Sequence, residues 1–199
     1  MLIYKGIRLV GRIIRGYWHR LRTYIVLKGN SVKFSSFRTN GVPYVMVARG
    51  GSMSIGPFFS MNNGIEGNPI GCYDRCTFFV DRGATLTIGQ RVGISQSALV
   101  AVADITVEDD VKIGGGVRIY TSDFHSLDPD IRRTAADMKN RKSASVVIKE
   151  NAFIGARSII LKGVTIGKNS IVGAGSVVTK SIPDNQIWAG NPAVFIKNV

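Results

Sequence analysis

Branched aliphatic residues recur at every sixth position near the C-terminal end of the chain. Six consecutive hexamers open with one, and a small or β-branched residue follows each opener four positions later. The openers are Ile148, Ile154, Ile160, Ile166, Val172 and Val178. Neither the helical period nor the two-residue strand period gives this spacing alone. The pattern predicts a coil of short strands and tight turns with the aliphatic residues stacked inside, and Gly155, Gly167 and Gly173 where the backbone turns.

The six-residue spacing also occurs earlier in the chain. It separates the members of two triplets, which are Ile88, Ile94 and Val100, and then Val107, Ile113 and Ile119. The step from Val100 to Val107 is one residue longer, which predicts one inserted residue near positions 101–104. Residues 62–71 and 121–144 lack the repeat and are rich in turn-forming or irregular sequence. We expect both to be loops, because a coil of this kind accepts insertions on its faces.

The C-terminal repeat carries a family resemblance. Residues 153–180, followed by Ile182-Pro and Ala189-Gly-Asn-Pro-Ala193, resemble the hexapeptide-repeat acyltransferases, and within them the galactoside, maltose and polysaccharide O-acetyltransferases. The resemblance covers residues 83–199 well and residues 32–82 loosely, and it does not extend to residues 1–28. It implies an all-β fold, a left-handed parallel β-helix with three strands per turn, and assembly as a homotrimer.

These observations predict two parts of unequal kind. A basic amphipathic helix occupies residues 1–28, and the β-helix domain occupies residues 29–199. Within that domain we expect an active-site loop insertion at about 121–147 and a C-terminal extension at about 183–199. With 199 residues, of which 45% are hydrophobic, the chain is long enough for one sizeable core.

The N-terminal helix has an apolar stripe and a basic stripe. The apolar positions are Ile3, Ile7, Val10, Ile14, Tyr17, Leu21 and Tyr24, and the basic ones are Lys5, Arg8, Arg12, Arg15, His19 and Arg22. Ten basic residues precede the first acidic residue, Glu66, in a chain of formal net charge +13. This asymmetry favours contact between residues 1–28 and an anionic membrane. The alternative is that the apolar stripe caps the coil or packs against the other protomers of a trimer.

Composition excludes several other classes. No recognised nucleic-acid motif accompanies the positive charge, so we expect no nucleic-acid partner. The sequence has no apolar run that would span a bilayer and no secretory signal, which predicts a cytoplasmic protein, peripheral at the inner face of the cell membrane if the helix binds there. Cys72 and Cys76 have no neighbouring soft ligands, so we expect buried thiols and no metal site.

His125 is the candidate catalytic residue. The chain has two histidines, and His125 begins the predicted loop insertion while His19 belongs to the N-terminal helix. The family resemblance implies that a histidine at this position is the general base. An imidazole can take the proton of an attacking alcohol near neutral pH and return it to a leaving thiolate. Asp123 is the candidate for orienting the imidazole, and Asp128 is a weaker one that we place as a loop cap or an acceptor contact.

The resemblance also implies positions for the two substrates. The donor is acetyl-CoA, a co-substrate rather than a tightly bound cofactor. The positions matching the coenzyme A groove are Ala156, Ala174, Gly175, Thr179 and Lys180. Many relatives have a basic residue where this chain has Val194, and Lys197 or Lys180 would compensate. Ser95 and Gln96 fall one coil below His125, where relatives place a polar side chain against the acceptor hydroxyl.

The leading interpretation is an O-acetyltransferase acting on a sugar hydroxyl of a cell-surface polysaccharide or its lipid-linked precursor. The alternatives are a sugar-nucleotide N-acetyltransferase, a serine acetyltransferase and a noncatalytic binding coil. A γ-type carbonic anhydrase on the same coil needs three histidines, and this chain has two.

Overall fold

The computed structural model describes residues 2–199, without the side chains of residues 2–7 and 10. Helix α1 spans Leu2–Gly29, and three parallel sheets follow it. The first sheet contains β1 Lys33–Phe34, β4 Ser52–Ile55, β7 Thr85–Ile88, β10 Ile105–Val107, β13 Val146–Ile148 and β16 Thr165–Ile166. The second contains β2 Phe37–Asn40, β5 Phe59–Asn62, β8 Gly93–Ser95, β11 Lys112–Ile113, β14 Phe153–Ile154, β17 Ile171–Val172, β19 Gln186–Gly190 and β20 Ala193–Asn198. The third contains β3 Tyr44–Val47, β6 Thr77–Val80, β9 Ala98–Ala101, β12 Arg118–Tyr120, β15 Ile159–Ile160 and β18 Val177–Val178.

Consecutive strands visit the three sheets in turn, which makes the left-handed parallel β-helix expected from the repeat. Openers one full coil apart are paired, as in Ile148 with Ile166 and Ile160 with Val178. All six openers are buried, and so are the six residues four positions after them. Those six residues are Ala152, Ser158, Val164, Ser170, Ser176 and Ile182. The predicted stack of aliphatic side chains is therefore confirmed as the core.

The glycines of the repeat serve close packing between coils more than the turn itself. A Cβ on Gly114 would lie 2.6 Å from the backbone nitrogen of Ala156, and one on Gly173 would lie 2.7 Å from the Cβ of Ala189. The left-handed turn residue stands two positions later, as Arg157 at φ 59° and Gly175 at φ 72° show. We expected these glycines where the backbone turns. They lie beside the turn, and the residue with positive φ comes two positions later.

One position of the earlier repeats, Val100, departs from the predicted spacing, whereas Ile88, Ile94, Val107, Ile113 and Ile119 are buried as expected. Leu99 is fully buried and pairs with Ile119, whereas Val100 pairs with Tyr120 on the outer face. Only two residues separate β8 from β9, fewer than in the corresponding turn after β11, so the inward position comes one residue early. Because strand side chains alternate between faces, that change turns Val100 outward. The next buried opener after Leu99 is Val107, eight residues later instead of six, so the insertion near residues 101–104 is two residues long rather than one.

Two loops interrupt the coil at different corners. The first loop, residues 63–76, joins the second sheet to the third and contains α2 at Gly64–Gly67. The second loop, residues 121–145, joins the third sheet to the first and contains α3 at Pro129–Arg132 and a 3-10 helix at Met138–Asn140. In the C-terminal extension, β19 and β20 pair as an antiparallel hairpin on the second sheet.

Helix α1 packs on the start of the coil with a different face from the predicted apolar stripe. Thr23 and Leu27 are fully buried, and the Nδ1 atom of His19 accepts a hydrogen bond of 3.0 Å from the backbone N–H of Gly41. Burial, followed by the charge of Arg15, lowers the pKa of His19, which suits this acceptor role. The stripe side chains that the structure describes are exposed, with Ile14 65% and Leu21 50% accessible, whereas Ile3, Ile7 and Val10 of the predicted stripe lie outside the described side chains. The described part of the stripe is therefore largely left uncovered by its own coil.

Both cysteines are free thiols in the first loop. Cys72 is buried, and Cys76 is fully buried with its Sγ atom 3.3 Å from the backbone oxygen of Asn62. Burial raises the pKa of the Cys76 thiol to about 11, so it remains a protonated core side chain.

Candidate active site

The second loop leaves the coil and returns to it at the corner between the third and first sheets. Its two ends pair with each other, because Ser122 and Ser143 form an antiparallel bridge and the N–H of Ala144 donates to the oxygen of Thr121 at 3.0 Å. The N–H of Asp123 also donates to the oxygen of Lys142 at 3.0 Å. The loop is thus closed at its base, and the residues after Asp123 project from the corner.

His125 stands on this projecting part beside a carboxylate. Its Nδ1 atom lies 2.7 Å from Oδ2 of Asp137, and Oδ1 of Asp137 accepts a 2.7 Å hydrogen bond from the N–H of Ser126. The His125 side chain is 63% exposed, whereas that of Asp137 is 14% exposed. Among the described residues no partner hydrogen-bonds to Nε2 of His125. The imidazole is therefore held at one nitrogen and presents the other to solvent.

The electrostatics of this pair favour a charged carboxylate. The hydrogen bond with His125, and then that from the Ser126 N–H, lower the pKa of Asp137. An ionised Asp137 accepts the Nδ1 proton of a neutral imidazole, which leaves the lone pair on Nε2. This is the tautomer that a general base needs to take a proton from an incoming hydroxyl.

Asp123, the expected orienting residue, lies elsewhere. Its Oδ1 atom pairs with Nζ of Lys162 at 2.6 Å, and its Oδ2 atom is buried without a hydrogen-bond partner. The ion pair fastens the base of the loop to the coil above, so Asp137 replaces Asp123 as the imidazole partner. Asp128 caps α3 by accepting from the N–H groups of Asp130 and Ile131, which agrees with the loop-cap reading.

Sequence reasoning missed Asp137. It is twelve residues from His125 in a segment without periodicity, and several aspartates share the loop. Enumerating them would have produced Asp137 as one candidate. No spacing rule selects among carboxylates in an irregular loop, because the backbone path decides which one reaches the ring.

An aromatic pair lies next to His125 in the chain. The rings of Tyr120 and Phe124 meet edge to face with centroids 5.1 Å apart. Phe124 is 37% exposed and has a φ of 66°, a conformation that costs energy for a bulky residue. The loop therefore holds an exposed phenyl ring in a strained backbone position directly before His125.

Ser95 and Gln96 do not face this corner. Gln96 is fully buried, and its Nε2 atom lies 2.8 Å from the oxygens of both Gly64 and Cys72 and 3.1 Å from that of Asn68. The Ser95 hydroxyl accepts hydrogen bonds from the side chains of two asparagines, Asn62 and Asn68. Both residues hold the first loop at the corner between the second and third sheets. The expected position of Gln96 one coil below His125 was wrong, because its amide nitrogen is held by the backbone of the first loop at another corner.

The residues matched to the coenzyme A groove are divided between two corners. Ala156, Ala174 and Gly175 lie in turns between the second and third sheets, and all three retain solvent access. Thr179 and Lys180 follow β18 and are exposed at the corner that carries the second loop. These two residues are one coil above Lys162. Within one chain, therefore, only the second group lies at the corner of His125.

Lys197 belongs to neither corner. It lies in β20, where it pairs with Ile187 of the C-terminal hairpin. Among the residues that the structure describes, no group of three or more His, Cys, Asp or Glu side chains is arranged to hold a metal ion. The described helices include none long and apolar enough to cross a membrane.

Known proteins are similar to this chain, and the sequence similarities cover part of its length. A family model described as bacterial transferase hexapeptide (six repeats) matches residues 145–180. A galactoside O-acetyltransferase from Lactococcus lactis is 45% identical over 101 residues, which cover 51% of this chain and 46% of that protein. Nodulation protein L from Rhizobium leguminosarum is 41% identical over 125 residues, which cover 62% of this chain and 63% of that protein.

A solved structure gives the corresponding comparison in three dimensions. A hexapeptide-repeat acetyltransferase from Vibrio cholerae, complexed with acetyl coenzyme A, aligns with a TM-score of 0.54 and 29% identity, covering 77% of this chain and 70% of that one. The chain spans about half to two thirds of the length of the two curated relatives. The six-residue repeat of residues 145–180 matches the hexapeptide transferase model, and the three-sided coil that it builds is similar in fold to a hexapeptide-repeat acetyltransferase.

Proposed function

We propose that this protein transfers an acetyl group from acetyl-CoA to a sugar hydroxyl, with His125 as the general base. The observation that carries the proposal is the exposed imidazole held by Asp137 at 2.7 Å, at the corner of a hexapeptide coil. The names of the relatives support the reaction class, since one is a galactoside O-acetyltransferase and the structural neighbour holds acetyl coenzyme A.

The proposed reaction balances with these groups alone. The sugar oxygen attacks the carbonyl carbon of the thioester while its proton passes to Nε2 of His125. The tetrahedral intermediate then collapses, the carbon–sulfur bond breaks, and the imidazolium returns the proton to the coenzyme A thiolate. Asp137 keeps the imidazole in one tautomer and stabilises its positive charge between the two steps. The thioester is already activated, so no covalent acyl-enzyme is required.

Phe124 supports a sugar as the acceptor. A pyranose has an apolar face of C–H groups, which packs well on an aromatic ring. Phe124 provides such a ring directly before His125, and its backbone has the unfavourable φ of 66°. We propose that it orients the acceptor so that one hydroxyl meets Nε2 of His125. The acceptor class we propose is a cell-surface polysaccharide or its lipid-linked precursor, modified at the inner face of the cell membrane.

We further propose that a homotrimer completes the site. The residues matched to the coenzyme A groove lie at two corners of the coil, and His125 lies at only one of them. A neighbouring copy would bring its Ala156 and Ala174 corner next to the His125 corner of the first. The same assembly would let one chain bind the pantetheine arm while another presents the base. Full activity in a species that sediments as a monomer would refute this part.

The function is tested by mass spectrometry of candidate glycans incubated with the full chain and acetyl-CoA. The expected result is a gain of one acetyl group with release of free coenzyme A. Mild alkali then separates the linkages, because it hydrolyses an O-acetyl ester and leaves an N-acetyl amide. An alkali-stable product on amino sugars would replace the proposal with a sugar N-acetyltransferase. Coenzyme A binding without transfer to any glycan would contradict it.

A further inference from the structure

The outward face of helix α1 is unpartnered. Successive helical residues are 100° apart, so the side opposite the buried Thr23 and Leu27 carries the predicted apolar stripe. We call the exposed residues of this side the outward stripe, and they are Ile14, Tyr17, Trp18, Leu21 and Ile25. Their exposed fractions are 65%, 74%, 56%, 50% and 59% in that order. A continuous apolar face of this kind on a protein surface marks an interaction site.

The coil does not need this face. The buried side of α1 already closes the first turn, where Leu27 and Val32 join the core. Tyr24, at the edge of the stripe, meets the ring of Phe34 with centroids 5.7 Å apart. The side chains of the outward stripe remain exposed on the surface of the described chain.

The charges beside the stripe define its partner. Arg20 and Arg22 are exposed on either side of it, and every charged residue of α1 is basic. Docking the helix of a second copy on the stripe would therefore place like charges together. An anionic surface would instead pair with both flanks while its apolar layer receives the stripe. Tyr17 and Trp18 also suit the boundary between the headgroups and the acyl chains.

We propose that the outward stripe docks on an anionic membrane, with α1 lying in the interface and the coil on the water side. The inference goes beyond the acetyl transfer and does not depend on it. It identifies the surface that would keep the enzyme near lipid-linked acceptors. The exposed arginines reach the headgroups, and the stripe enters the outer part of the hydrocarbon.

Vesicle flotation of the full chain tests the docking. We expect binding to phosphatidylglycerol-containing vesicles at low salt, weak binding to phosphatidylcholine alone, and release from the anionic vesicles as salt rises. Arg20→Glu/Arg22→Glu should weaken partition about thirtyfold or more, since each basic residue near an anionic leaflet contributes about fivefold and the change to Glu adds repulsion. The matched control Arg82→Glu/Arg133→Glu makes the same charge change on a turn of the coil and on the second loop, and it should have much less effect.

Two matched tyrosine variants test the contribution of the apolar stripe to vesicle binding. Tyr17→Ser and Tyr73→Ser remove rings that are 74% and 75% exposed, on the stripe and on the first loop respectively. Only Tyr17→Ser should weaken vesicle binding, by several-fold, and neither change should lower the melting temperature appreciably. Equal effects of the two variants would overturn the proposal.

The two tryptophans report the docked face directly. In Trp188→Phe the remaining Trp18 should shift its emission to shorter wavelength on anionic vesicles, whereas in Trp18→Phe the remaining Trp188 should not shift. No vesicle binding by the full chain at low salt would overturn the proposal. If stripe variants instead change the sedimentation of the protein without vesicles, the occupant is a second copy, and the membrane docking is wrong.

Discussion

The two loops that interrupt the coil are anchored by opposite means. The first loop is held from inside, where the buried amide of Gln96 reaches three backbone oxygens. The second loop is fastened nearer the surface by ion pairs, which join Asp123 to Lys162 and Arg141 to Asp81. The first arrangement uses its polar groups for folding. The second leaves His125 exposed and available for chemistry.

This difference predicts that substitutions in the two loops fail in different ways. The first loop should respond in stability, because unpaired buried polar groups cost free energy. The second should respond in turnover, because its exposed groups contribute little to folding and much to a proton transfer.

The largest expected effect is on turnover in His125→Ala. Removing the general base should lower kcat by about two to four orders of magnitude. Coenzyme A binding, measured by calorimetry, should change little. The control is His19→Gln, which alters the other histidine of the chain and should keep kcat near normal. Near-normal turnover in His125→Ala would refute the proposed mechanism and erase the contrast between the loops.

Gln96→Ala tests the other side of the contrast. The substitution leaves the backbone oxygens of Gly64, Asn68 and Cys72 without their donor, which should lower the free energy of unfolding by about 1–3 kcal/mol. Urea titration measures the free energy of unfolding of Gln96→Ala and of the control Gln90→Ala. In the unmodified protein the side-chain amide of Gln90 donates to Asp109 nearer the surface. The surface variant should lose clearly less. Equal losses would mean that burial does not distinguish the two anchors.

Asp137→Asn separates positioning from structure within the second loop. The amide keeps the shape but loses the charge that selects the imidazole tautomer, so kcat should fall about tenfold or more with a smaller change in KM. The pH profile of kcat should change in Asp137→Asn. In Asp123→Asn, whose carboxylate pairs with Lys162, the pH profile should stay as in the unmodified protein. If Asp123→Asn moves the profile and Asp137→Asn does not, the assigned partner is wrong.

The smallest effect concerns acid. The pKa of Asp137 is lowered in the folded chain, so its contribution to stability is present above the unfolded carboxyl pKa of about 3.9 and is lost as pH falls through the folded value. We expect the His125–Asp137 contact to persist at pH 5 and to open only in acid below the ordinary carboxyl pKa of about 3.9. Carboxyl chemical shifts in a pH titration by NMR would measure it. Opening already above pH 5 would contradict the assignment.

The sequence predicted the coil because its repeat satisfies a local rule. Each opener must point inward, and each coil must approach the next closely, so the hexamers from Ile148 to Val178 fix strand, turn and core together. The rule failed where the turn length changed, at Val100, because one fewer residue in a turn reverses the side that faces the core. It gave no account of Gln96, whose polar side chain is buried by a loop that lies distant in sequence.

By itself the sequence determined the repeat, the helix at the N-terminus, the positions of the two loops and His125 as the candidate base. Tertiary structure decided the partners. Asp137 rather than Asp123 reaches the imidazole, Gln96 is used by the first loop, and the described apolar side chains of the α1 stripe are exposed. The physical reason is that periodicity records which side of an element is buried, whereas a contact between irregular segments depends on the backbone path that brings them together. A local pattern therefore predicts the scaffold, and only the folded chain assigns the hydrogen bonds of its loops.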